Sequence, residues 1–308
     1  MPLLLYTLRR LLQMIPTLVV VVTAVFLVLR LAPGDPAAQM LGLYATDEAI
    51  ERLRRELGLD QPLLNQYLSF WIRGLQGELG ESFRSGNAVS AEVGAAFLRT
   101  LQLALAAIVI AVALGLPLGI WSAVTRSPLA DRLLTGLASL ALAAPVYWIG
   151  LLMMLLFALE LRWLPASGTG SWRHLVMPAL ALALTPMAHI MRLVRTSLLD
   201  VLSQPYITVA RSKGLSGRAL VLRHALSNSL LPVVTQVGLQ FGNMLGGAVL
   251  TETVFAWPGL GMLVVNAVYA RDYPVIQAAV IALALIYMLI NLLVDATYSF
   301  LDPRVQQA

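Results

Sequence analysis

Six runs in this chain are long and apolar enough to cross a bilayer, and no other property of the sequence restricts its fold as much. A span needs about 20 mostly apolar residues. The runs are Leu11–Leu31, Thr100–Val124, Leu133–Leu159, Leu175–Val194, Ser229–Leu250 and Ile276–Tyr298. Of the 308 residues, 59% are hydrophobic and 12% charged, against about 25% charged in a soluble domain. So little polar surface excludes a soluble enzyme, a disordered protein and a nucleic-acid reader. The expected fold class is all-α: a polytopic membrane protein with six transmembrane helices, each satisfying its own backbone hydrogen bonds.

The first run follows Arg9 and Arg10 and is too long for a secretory signal. Pro33-Gly34-Asp35 follows it without a small-x-small cleavage site, so it reads as a retained helix. Basic residues near span ends set the orientation. With the amino terminus inside, Arg9, Arg10, Arg126, Arg132, Arg192, Arg195, Arg211, Lys213, Arg218, Arg223 and Arg304 lie on the inner side. Arg30, Arg99, Arg162, Arg173 and Arg271 lie outside, so both termini are expected in the cytoplasm. The organisation expected is a tail and first helix over 1–31, an external helical loop over 32–99, a five-helix core over 100–298 and a cytoplasmic tail over 299–308.

Two connections are too long to be simple links. In the outer one, Thr46 opens an amphipathic stretch that Gly58 stops, with Asp47, Glu48 and Glu51 in its first turns. Pro62 starts a second stretch, where Leu63, Leu64, Tyr67, Leu68, Trp71, Ile72 and Leu75 recur at helical spacing. This loop reads as a helical cap, either a lid on the external face or a substrate contact. The inner connection, 195–228, carries the densest positive charge. Pro205 can open a short helix through Ser212, Gly214 ends it, and Ser216 caps a second helix toward Leu226. Physics alone leaves two readings of this pair: a docking element for another protein, or an amphipathic helix on anionic lipid.

In the fifth run, Gly238, Gly242 and Gly246 recur every four residues, a seam for close helix packing. Gln236, Gln240 and Asn243 cluster on another face, where they either bond between helices or line a polar, uncharged path. Gly115-x-x-x-Gly119 is a second seam. Asp295 reads as the partner of Arg192 or Arg195, with Asn291 in the same network, and His189 as a hydrogen-bonded packing residue. Pro117, Pro145, Pro178 and Pro186 mark kinks or span starts, and Trp121, Trp148, Trp163 and Trp257 read as interface aromatics near span ends. The chain has no cysteine, which excludes thiolate metal sites. Its sole lysine, Lys213, is followed by Gly214, so no Gly-x-x-x-x-Gly-Lys-[Ser/Thr] phosphate loop exists.

Several segments resemble one family. Tyr206-Ile207-Thr208-Val209-Ala210-Arg211-Ser212-Lys213-Gly214-Leu215-Ser216, with Arg223-His224-Ala225-Leu226 and Asn228-Ser229-Leu230-Leu231-Pro232, looks like the cytoplasmic loop of ATP-binding-cassette importer permeases. The match is to the B-type subunit of the dipeptide, oligopeptide and nickel branch. Leu29-Arg30-Leu31-Ala32-Pro33-Gly34-Asp35-Pro36 resembles that branch's amino-terminal signature, and Gly58-Leu59-Asp60-Gln61-Pro62-Leu63 with Gly77-Glu78-Leu79-Gly80 its outer loop. Glu252-Thr253-Val254-Phe255-Ala256-Trp257-Pro258-Gly259-Leu260-Gly261, Arg271-Asp272-Tyr273-Pro274-Val275-Ile276-Gln277 and Asp302-Pro303-Arg304 resemble its final third. Thr208 stands where the commoner importer loop has glutamate, which removes any salt bridge from that position.

The resemblance implies the type I importer permease fold in a bacterial inner membrane. It implies half of a translocation path for di- or oligopeptides, with nickel or a metal chelate as the alternative cargo. A secondary transporter is a more distant alternative, since no Asp or Glu falls in mid-span. The implied partners are a second homologous permease, two ATP-binding-cassette ATPase subunits, an extracytoplasmic substrate-binding protein and membrane lipid. ATP and Mg would be bound by the ATPases; this chain would bind no cofactor or metal and contribute no catalytic residue. Ala210, Arg211, Lys213, Gly214, Leu215, Ser216, Arg218, Leu222, Arg223 and His224 would form the ATPase-coupling loop.

Overall fold

The computed structural model describes residues 2–31, 35–41, 45–56 and 58–301, with side chains except those of 2–9, 36, 39, 40, 56 and 295–301. The described chain is helical, with one isolated antiparallel bridge between Glu81 and Ala88. In order the helices are α1 (Pro2–Leu31), α2 (Pro36–Leu41), α3 (Asp47–Glu56), α4 (Leu63–Leu75), α5 (Val89–Val124), α6 (Pro128–Ala143), α7 (Val146–Met153, extended by a π-helical turn Met154–Glu160) and α8 (Trp172–Leu202). They continue with α9 (Pro205–Ser212), α10 (Gly217–Ala219, running through π-helical Leu220–Ala225), α11 (Leu226–Gly247), α12 (Val249–Val254), α13 (Leu260–Ala270) and α14 (Tyr273–Leu301).

Four of these, α1, α5, α8 and α14, are long and apolar enough to span a membrane, and α6 with α7 makes a fifth that is bent by 104°. The run expected as one straight helix over Leu133–Leu159 is thus broken at Ala144-Pro145, where Pro145 cannot continue the preceding helix. The sixth run is α11, 22 residues long. Gln236, Gln240 and Asn243 lower its mean apolarity, as a helix facing protein or water permits. Helix α5 starts at Val89, well inside the segment assigned to the external loop, and is 36 residues long.

The closest association joins α5 to α8. A Cβ at Gly115 would lie 2.7 Å from the Met187 carbonyl oxygen, and one at Gly119 would lie 2.6 Å from that of Met191. Glycine at both positions lets the backbones touch, and Leu103, Ala104, Ala107, Ala111, Ala183, Ile190 and Val194 fill the seam around them.

At one end of this pair lies a buried polar knot. Glu252 is fully buried. Its Oε1 accepts from Thr100 Oγ1 at 2.6 Å, and its Oε2 accepts the Gly261 and Met262 amides at 2.8 and 3.1 Å. These amides open α13, so the carboxylate is the helix's N-terminal cap, favoured there by the helix dipole. Thr100 Oγ1 in turn accepts from the Leu260 amide at 2.8 Å. A Cβ at Gly259 would collide with the Glu252 carboxylate, which requires glycine there. Trp257, expected near an interface, is 2% exposed and donates its indole N–H to the Arg99 carbonyl at 2.9 Å. Trp121, Trp148 and Trp163 are exposed as expected. Asp272, also buried, accepts from Ser82 Oγ at 2.5 Å and from the Arg84 amide at 3.3 Å, pinning the 82–87 turn to the start of α14.

Two substitutions test this framework. Gly119→Leu should destabilise the chain by about 2 kcal/mol or more through overpacking, whereas Gly136→Leu, with open space around its Cβ, should be nearly silent; thermal unfolding in detergent compares them. Glu252→Leu strands three buried donors and should cost about 3 kcal/mol or more. Amide exchange at Gly261 and Met262 should rise sharply in that variant and only modestly in Glu252→Gln.

Candidate functional site

The connection between α8 and α11 is built in two layers. The inner layer is apolar: Leu198, Ile207, Leu220 and Ala225 are buried together, with Ile120, Ala123, Val201, Leu202, Ala210 and Val221 against them. This anchors α9 and the π-helical part of α10 on the ends of α5 and α8. The outer layer is the turn: every residue from 211 to 218 is exposed, including Arg211, Lys213, Gly214, Leu215, Ser216 and Arg218. Leu222, Arg223 and His224 are exposed one turn on, and Ala210 is half-buried between the layers. Leu222 is 50% exposed, an apolar side chain set among basic ones.

The local chemistry explains the turn. Gly214 has φ +85°, a left-handed conformation that favours glycine. Nothing lies within 4 Å of where its Cβ would be, so the constraint is backbone conformation alone. Ser216 Oγ accepts from the Ala219 amide at 3.4 Å, the cap expected of it. The second short helix is not a separate element. It passes through a π-helical turn, Leu220–Ala225, and merges with α11, so Gly217 to Gly247 forms one continuous rod. A π turn of this kind is frequent at functional positions.

The same end of the bundle is clamped by an ion pair. Arg195 donates from Nε and Nη2 to the two carboxylate oxygens of Asp131 at 2.8 and 2.7 Å, and Ser122 Oγ donates to Asp131 Oδ1 at 2.6 Å. The bidentate geometry ties α5, α6 and α8 together. Asp131 is thus a partner of Arg195; the Asp295 side chain, expected to pair with Arg192 or Arg195, lies outside the described residues. The sequence signal for Asp131 was its place in the first turn of a helix capped by Ser127, with Pro128 after it. His189 lies on an exposed face of α8 and has no side-chain hydrogen bond to a described residue, so it is not the bonded packing residue expected.

The fifth run divides as its spacing suggests. A Cβ at Gly238 would lie 2.6 Å from Val294 Cγ2, one at Gly242 3.3 Å from Ile290 Cγ2, and one at Gly246 4.0 Å from Tyr287. This stripe faces α14, tightly at Gly238 and loosely at Gly246. On the amide side, Gln240 is 9% exposed, Gln236 half-buried and Asn243 exposed. None of the three side chains hydrogen-bonds to another described residue.

Comparison with known proteins agrees with this architecture. A family described as "Binding-protein-dependent transport system inner membrane component" matches residues 115–307, and the N-terminal component of the same system matches residues 3–109. The chain is 44% identical over 301 residues, 98% of each chain, to the glutathione transport system permease protein GsiC of Salmonella typhimurium (strain LT2). It is 43% identical over the same length and coverage to GsiC of Escherichia coli (strain K12). Among solved structures, the inward-facing MetNI methionine ABC transporter aligns with a TM-score of 0.56 at 18% identity, covering 68% of this chain and 96% of that one. An amino acid ABC transporter with histidines aligns with a TM-score of 0.56 at 14% identity, covering 68% of this chain and 94% of that one. The fold is that of the type I ABC importer permeases. The chain is a transport component rather than a catalyst, and it belongs to the family of inner membrane components of binding-protein-dependent transport systems.

Proposed function

We propose that this permease forms half of the translocation path for a di- or oligopeptide, with ATP and Mg handled by two partner ATPases that grip the 205–226 turn. The observation that carries the reading is the two-layered connection: an exposed basic turn on an apolar anchor. A force applied at Leu215–Leu222 is transmitted along the continuous rod into α11 and, through Leu198 and Ile207, into α8. The Asp131–Arg195 clamp makes α5 and α6 follow. Nucleotide then drives transport only by favouring one arrangement of these helices over another. A second homologous permease supplies the other half of the path, and an extracytoplasmic binding protein delivers the cargo.

The relatives named as glutathione transport permeases support a short peptide as cargo and favour it over nickel. Gln236, Gln240 and Asn243 suit such a cargo. Unbonded amides offer donors and acceptors without a charge that would hold a zwitterion tightly. In this reading both termini lie in the cytoplasm, on the side of the arginine-rich turn, as the basic residues near span ends support.

Gly214→Val tests the coupling reading. A branched side chain at φ +85° costs about 1 kcal/mol or more, confined to an exposed turn. Insertion should be unchanged and the thermal midpoint should fall by no more than about 4 °C, while co-purifying ATPase falls, or its stimulation by loaded binding protein is lost. Wild-type ATPase retention together with wild-type peptide uptake would refute the assignment. Orientation is tested by single cysteines in this cysteine-free chain: Ser85→Cys and Ser171→Cys should react with an impermeant thiol reagent in intact cells, and Ser216→Cys only after lysis.

A further inference from the structure

The helix α4 has three distinct sides. Gln66, Tyr67, Phe70 and Trp71 are half-buried, and of these Tyr67 and Phe70 meet α1. The Phe26 ring of α1 lies 5.3 Å from Tyr67 and 6.1 Å from Phe70, and Tyr67 Oη lies 2.7 Å from Thr23 Oγ1. A second side is an apolar ridge of Leu64, Leu68, Ile72 and Leu75, exposed by 67, 50, 57 and 82%. The third is an exposed polar ridge of Asn65, Ser69, Arg73 and Gln76. Each polar residue follows an apolar one, so the two ridges run side by side about 100° apart without mixing.

The contacts with α1 set the position of α4 along that helix. Arg10–Leu31 is a candidate span. Phe26 and Thr23 precede Leu31 by five and eight residues, which at 1.5 Å per residue places them about 8 and 12 Å along the span from that end. A helix docked there, with Tyr67 reaching Thr23, lies beside the last turns of a candidate span. Its α1 neighbour exposes Val20, Leu27 and Val28, as a lipid-facing span does.

We propose that α4 is a membrane-surface helix, its Leu64–Leu68–Ile72–Leu75 ridge set among lipid acyl chains and its Asn65–Ser69–Arg73–Gln76 ridge among headgroups and water. A protein partner covering both ridges would not need this clean division, whereas the boundary between acyl chains and water imposes it. The ridge is too large an apolar surface to leave in water. It anchors the long connection between α1 and α5 to the bilayer, so the segment from 58 to 88 is held at a constant height beside the bundle.

The test uses the full chain in vesicles of phosphatidylethanolamine and phosphatidylglycerol. Nitroxide labels go on Leu68→Cys, Ile72→Cys, Ser69→Cys and Arg73→Cys, with Leu64→Cys and Gln76→Cys as a second pair should any variant insert poorly. Collisions with dissolved oxygen report lipid, and collisions with a water-soluble nickel chelate report the aqueous phase. Oxygen access should exceed nickel access several-fold at 64, 68 and 72, and the ratio should reverse at 69, 73 and 76. Equal nickel access on both ridges would mean a helix standing free in water. Shielding of the apolar ridge from both reagents would mean a covering protein surface. Either result overturns the proposal.

Discussion

The bundle depends on the direct approach of α5 to α8. Lipid tails are as apolar as leucine side chains, so helices inside a bilayer gain little from hiding apolar surface and associate through tight van der Waals fit. Gly115 and Gly119 make that fit possible, because any side chain at either position would strike the α8 backbone. Around this pair α11 and α14 close a second, looser seam through Gly238 and Gly242. The bent α6–α7 pair is set by Pro145 and by contacts of both its arms with α8. Every other feature is placed relative to this axis.

The two ends of the axis are finished by different chemistry. At the α13 end, Glu252 and Asp272 are buried and each accepts amide donors at a helix start or turn. These carboxylates need no cation because their partners are N–H and O–H groups already aimed at them. The short α13 is thereby fixed to Thr100 of α5. At the other end, Asp131 is partly exposed and paired with Arg195. One end is rigid by buried capping. The other is held by a bridge and an apolar patch, from which the proposed coupling turn projects. That asymmetry suits a device driven from one side only.

The connection between α1 and α5 fits the same plan. Its first part is tied by Asp35, which takes Arg54 Nη2 at 2.5 Å and the Ala37 amide at 3.1 Å. Its last part is tied by Ser82 to Asp272. With α4 lying against α1, the described part of the segment is tied to the bundle at two places, Tyr67 on Thr23 and Ser82 on Asp272.

The amino-acid sequence alone determined the helical class, the apolar runs, the glycine seams and the turn at Gly214. Each of these is a short-range property: a run length, an i to i+4 spacing, or a backbone angle that one residue type adopts easily. The start of α3 near Thr46, the start of α4 after Pro62 and the Ser216 cap were legible for the same reason. Only the tertiary structure decided which charges meet. Asp131 and Arg195 are 64 residues apart, and Thr100 and Glu252 are 152 apart. Nothing local distinguishes these pairs from alternatives such as Asp295 with Arg195. The burial of Trp257, the exposure of His189 and the contact of α4 with α1 were likewise hidden, because each depends on what a neighbouring helix covers. Periodicity states which residues share a face; only packing states what that face meets.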